Sequence, residues 1–124
     1  MEGTHKNLIV WQESMALAKG IYKLCASFPS YETYALADQM RRSVISIPSN
    51  IAEGYGRGTN KEIVHFLSIS LGSANELETQ LMLSLDLGYV PVQVFDKVES
   101  KLSSVIKMLR SLMNKRQKGE EKEA

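Results

Sequence analysis

Apolar residues recur through this chain at alternating intervals of three and four, and that period leaves helix as the only regular structure able to gather them on one side. The clearest case is the stretch Gln39 to Gly58, QMRRSVISIPSNIAEGYGRG. With the residues just before it, Leu36, Met40, Val44, Ile47 and Ile51 fall on one helical stripe, where a strand would need strict alternation. Gln39, Ser43, Ser46, Asn50 and Glu53 form a polar stripe beside it. Pro48 interrupts the pattern: its ring meets the carbonyl of Val44 and it offers no amide, so a kink or a break is expected there. Either would re-aim Asn50 and Glu53 relative to Arg41 and Arg42.

Three further segments carry the same period. From Val10 or Trp11, the residues Val10, Leu17, Ile21, Leu24 and Phe28 make one stripe, while Trp11, Met15, Ala18, Tyr22 and Cys25 make a second, adjacent one. Two stripes exceed what one small bundle core needs, so this helix is either deeply central or shared with another subunit, and the second reading supports oligomerisation. Helical spacing assigns Trp11 and Tyr22 to core or interface packing. Pro29 and Ser30 end this helix, and the second begins between Thr33 and Ala35 and closes in Gly54 to Gly58. Thr59 and Glu62 read as a capping box opening a third helix that runs to about Leu87. Its core line is Ile63, Leu67, Ser70, Ala74, Leu77 and Leu81, beside a small, partly polar line of Ser68, Gly72, Asn75 and Thr79 expected to pack closely on, or bond to, the second helix. After Gly88 and Pro91, the residues Phe95, Val98, Leu102, Val105, Leu109 and Leu112 give the cleanest seam of all. Four amphipathic segments with short links predict an all-α, antiparallel up-down-up-down four-helix bundle, its second helix kinked near Pro48. Residues 1–118 read as one domain, and 119–124, within the run NKRQKGEEKEA, as a disordered charged tail.

QMRRSVISIPSNIAEGYGRG followed by KEIVHFLSISLGSANELETQL, with VWQESMALAKGIYKLCASFP upstream and LSLDLGYV downstream, resembles the bacterial four-helix-bundle family of ribosomal RNA intervening-sequence proteins. The resemblance covers roughly residues 8 to 90. It implies a small cytoplasmic bundle that assembles into a ring, expected to be a pentamer. Some relatives resemble accessory proteins of diversity-generating retroelements, which implies RNA and a reverse transcriptase as possible partners.

Chemistry is sparse. Glu62 and His65 form one Glu-x-x-His pair, half of what a di-iron site uses, but the second pair is missing and the other histidine, His5, lies in the irregular N-terminus, so no metal and no cofactor is expected. GYGRGTNK lacks the spacing of a phosphate-binding loop and reads as a turn. No serine sits in a strained elbow beside a histidine base, so nothing in the sequence supports an acyl-transfer enzyme. The single cysteine, Cys25, reads as a buried small hydrophobe. No apolar run is long enough to span a membrane, and a soluble cytoplasmic protein is expected.

A net charge of +1 means that any RNA affinity must come from a local cluster. The candidate cluster is Arg41, Arg42, Arg57 and Lys61; at most one of the adjacent arginines can pack inward on a carboxylate such as Glu53 or Glu76, in a polar network with Asn50, and the other should reach solvent. Ring assembly would multiply a weak patch on each subunit. The expected function is a non-enzymatic oligomeric scaffold that binds RNA or assists ribonucleoprotein assembly; alternatively, a protein-interaction ring without intrinsic nucleic-acid affinity.

Overall fold

The computed structural model describes residues 4–123, with side chains described as far as Gly119. Four helices account for nearly all of it: α1 (Ile9–Cys25), α2 (Leu36–Arg57), α3 (Asn60–Asp86) and α4 (Val92–Glu123). Two short 3-10 turns, His5–Asn7 and Ser30–Glu32, precede α1 and α2, and the described residues contain no strand.

The periodic stripes of the sequence become the core. All five α2 positions, Leu36, Met40, Val44, Ile47 and Ile51, are buried, as are Leu17 and Ile21 of α1, Leu67, Leu77 and Leu81 of α3, and Leu102, Val105 and Leu109 of α4. Helices adjacent in sequence are adjacent in space, and α1 also packs on α4, so the core is closed on four sides. The pair α2 and α3 shares the largest contact. Its contacts run in opposite directions along the two helices, with Gly54 against Ile63 and Phe66, Ser46 against Ser73, and Met40 against Ser84, which makes the pair antiparallel.

Local chemistry sets the ends of the helices. The Thr59 hydroxyl accepts from the Glu62 amide at 3.2 Å, forming one half of the expected capping box at the start of α3. Gly58, at φ 88°, takes the left-handed conformation that closes α2 and leaves a link of only two residues before α3. At the other end of α3, the Tyr89 amide bonds to Ser84 O and the Gly88 amide to Leu85 O, the two bonds of a Schellman motif.

Several boundaries differ from the sequence reading. Gly54 and Gly56 lie inside α2. At Gly54 a Cβ would stand 2.9 Å from the Phe66 Cβ and 3.3 Å from the Ile63 Cα, so the glycine is kept by the close approach of α3, not by a turn. Helix α2 runs unbroken through Pro48. The charged end expected to be a tail continues α4 as helical backbone to Glu123, since lysine, arginine, glutamine and glutamate are good helix formers and propagation needs no new nucleus.

Candidate nucleic-acid interface

The polar residues on α2 divide between those that face α3 and those that face water. Asn50 donates from Nδ2 to the Ser46 carbonyl at 2.8 Å and to the Ser46 hydroxyl at 2.9 Å, and Ser46 Oγ pairs with Ser73 Oγ at 2.7 Å. Ser70 donates to the Ile47 carbonyl at 2.9 Å. The polar network therefore lies between α2 and α3, and of its three expected members only Asn50 belongs to it. Glu53 and Glu76 are exposed. Glu53 is held by Arg57 on its own helix, with Nε donating to Oε2 at 3.0 Å. The line Ser68, Gly72, Asn75 and Thr79 is exposed as well; the small residues that meet α2 are Ser70 and Ser73, on a different side of the helix.

The four expected cations do not form one patch. Arg41 is half-buried and donates from Nη2 to the Thr33 carbonyl at 2.9 Å; Arg42 is exposed and pairs with Asp38 one turn back at 3.0 Å. Neither reaches Glu53 or Glu76, which are exposed: Arg42 finds Asp38 one turn back on its own helix, and Arg41 folds back to the backbone just before α2. Arg42 and Arg57 are fifteen residues apart along α2, which at 1.5 Å per residue is about 22 Å of helix. Arg57 bridges α2 and α3: Nη1 lies 3.6 Å from the Glu62 carboxylate, and the guanidinium sits 5.1 Å from the centre of the Phe66 ring. Lys61 is exposed and unpaired among the described residues.

The antiparallel packing of α3 and α4 supplies what the sequence reading missed. Arg116 of α4 reaches the start of α3, donating from Nη1 to Asn60 Oδ1 at 3.1 Å and from Nε to the Tyr55 hydroxyl at 3.3 Å, with its guanidinium 5.1 Å from the centre of the Tyr55 ring. Lys115 flanks a groove lined by Asn7 and Leu8, which brings Lys6 to the same end. Lys6, Arg57, Lys61, Lys115, Arg116 and Lys118 thus gather where α1 begins, α2 ends, α3 begins and α4 nears its end. Among the described residues only Arg57 of these six has a carboxylate partner. In the sequence the six are scattered over more than a hundred positions, and only the order of the helices brings them together.

Other candidate chemistry is occupied structurally. The Glu62 amide and carboxylate are engaged by Thr59 and Arg57, His65 stacks edge-on against Phe66 at 5.0 Å, and among the described residues no group of three His, Cys, Asp or Glu could hold a metal. The Cys25 thiol is buried, points to the Ala37 carbonyl at 3.7 Å, and is pushed up from its ordinary pKa by that burial, against a smaller opposing pull from Arg41. At the end away from the cations, the Tyr89 hydroxyl donates to Glu32 at 2.7 Å and lies 3.1 Å from the Tyr31 hydroxyl, and these hydrogen bonds hold its pKa well above the usual tyrosine range. Between α3 and α4, burial and a hydrogen bond to Glu78 push the Glu99 carboxyl up to about 7. No described helix is long and apolar enough to cross a membrane.

Comparison with known proteins places this arrangement. The profile of the 23S rRNA-intervening sequence proteins matches residues 6–111. The chain belongs to that family. The match takes in α1 to α3 and most of α4, and it stops just before the cations Lys115, Arg116 and Lys118. A crystal structure of a protein of unknown function from the S23 ribosomal protein family of Bacteroides thetaiotaomicron superposes with a TM-score of 0.79 at 24% identity, covering 86% of this chain and 96% of that one. At that identity the likeness establishes the shared helical fold. A search of curated proteins gave no match.

Proposed function

We propose that the protein is a non-enzymatic scaffold that self-associates and holds RNA by its phosphates at the basic end of the bundle. The observation that carries this reading is the gathering of six cations at one end, five of them without a carboxylate partner among the described residues. Unpaired lysines and arginines release counterions when they meet a polyanion, so such a surface favours phosphate even on a chain of net charge +1. Tyr55 orients Arg116 by stacking, which lowers the ordering cost of using that guanidinium. The family name, with its reference to 23S rRNA, agrees with RNA as the polyanion. Self-association, as in the ring expected from the sequence, would multiply the contacts.

The test is retention of a structured RNA by purified, nuclease-treated protein across a salt series. Binding should weaken steeply with salt, and Lys61→Glu combined with Lys115→Glu should lower the slope of log K against log salt by about 2. Arg41→Glu with Arg42→Glu, at the far end, should leave retention nearly unchanged. No retention by the wild type at low salt would overturn RNA binding and favour the protein-interaction scaffold.

A further inference from the structure

The broad apolar face of α1 remains partly open in the folded subunit. Trp11, Met15 and Ala18 of α1 and Ile45, Pro48 and Ala52 of α2 line a groove of about 370 Å³ with almost no polar wall. A second hollow on the outer side of α1 extends it past Tyr22 and is edged by Lys19 and Lys23. Met15, Tyr22 and Ile45 are 38%, 44% and 44% exposed, and no acidic side chain lines either hollow. Helix α3 carries the opposite form. Its outward stripe through Ile69, Gly72 and Leu83 is exposed, with the polar Ser68, Asn75 and Thr79 between them, nothing lies within 4 Å of a Cβ built at Gly72, and the charges along it are Glu76 and Asp86.

Resting on the self-association reading, we propose that the α1–α2 groove of one subunit receives the outward stripe of α3 from a second copy of this chain. The argument is charge complementarity in register. Glu76 stands one turn beyond Gly72, as Lys19 stands one turn beyond Met15. Seating Gly72, where a helix can approach closely, against Met15 with the two helices parallel puts Glu76 beside Lys19, with Lys23 one turn further on. Helices α1 and α3 are diagonal in the bundle and make no contact, so groove and stripe face away from each other and no subunit can satisfy its own groove. The contact is heterologous: each copy offers one groove and one stripe, and a closed ring satisfies all of them.

The test is complementation. Met15→Arg blocks the groove and Gly72→Arg blocks the stripe; both positions are exposed, and helical circular dichroism checks that each variant folds. In size-exclusion chromatography with light scattering, the wild type should be oligomeric and each variant alone monomeric. An equimolar mixture should give a dimer and nothing larger, because each pair retains one intact groove and one intact stripe. A monomeric wild type would refute self-association itself. An oligomeric wild type whose variants stay oligomeric, or fail to pair when mixed, would refute this assignment of the two surfaces while leaving self-association standing.

Discussion

Replacing Gly54 by alanine should destabilise the bundle, although alanine is the better helix former. In an open helix position the exchange gains about 0.8–1.0 kcal/mol. Gly20 is such a position, with nothing within 4 Å of an added Cβ, so Gly20→Ala should stabilise by roughly that amount. At Gly54 the same methyl group would meet the Phe66 Cβ at 2.9 Å, the Ile63 Cα at 3.3 Å and the Ile63 carbonyl oxygen at 3.4 Å. Carbon atoms rest about 3.5–4.0 Å apart, and all three obstacles are backbone atoms or the first atom of a side chain, so the clash cannot be relieved by a rotamer change. Helices α2 and α3 must separate by roughly half an ångström at their most extensive contact, an overpacking cost of about 1–3 kcal/mol. Subtracting the propensity gain leaves a net loss of up to about 2 kcal/mol, and because the gain is common to both sites the two alanine variants should differ by the overpacking cost itself, about 1–3 kcal/mol. Urea unfolding followed by circular dichroism at fixed protein concentration measures both, the midpoint moving while the slope stays constant. A Gly54→Ala variant as stable as Gly20→Ala would show that α3 does not approach α2 as described.

Two further changes probe the interhelical contacts. Glu99 has a carboxyl raised from 4.5 to about 7, so the folded state holds a proton that the unfolded state releases, and stability should fall as pH rises from about 4.5 to 7 and stay low above. After allowance for solvent screening the loss is on the order of 1–2 kcal/mol. Glu99→Gln should remove that slope, and thermal melts at pH 5 and pH 8 that change in parallel for wild type and variant would contradict it. Ser70→Ala removes the buried hydroxyl bonded to the Ile47 carbonyl and should cost about 1 kcal/mol, read by the same urea titration.

How much was legible follows from what each feature depends on. The core stripes of α1, α2 and α3 depend only on period, and every one of their expected positions is buried; along the α4 seam, Leu102, Val105 and Leu109 are buried while Phe95 and Val98 are partly so. Thr59 is a local signal too, since a hydroxyl three residues ahead of a glutamate needs nothing distant to act. Gly54 misled, because a glycine kept for close approach and a glycine kept for a turn look alike in sequence. Arg41 and Arg42 are adjacent in sequence yet share no surface with Arg57 and Lys61, because Thr33 and Asp38 engage them locally at the other end of α2. The basic end was legible only in Arg57 and Lys61, two of the expected cations; Lys6, Lys115, Arg116 and Lys118 join them only once the helices are ordered in space.

The link of two residues between α2 and α3 also has a kinetic meaning. Closing so short a loop costs little chain entropy, and the contacts it enables are the most numerous in the molecule and close together in sequence. The α2–α3 hairpin should therefore be the part already assembled at the folding barrier, with α1 and the distal half of α4 docking afterwards. Stopped-flow chevrons would then show Gly54→Ala slowing refolding, while truncation of Leu109 chiefly speeds unfolding; the reverse pattern would mean that the bundle condenses from its outer helices inward.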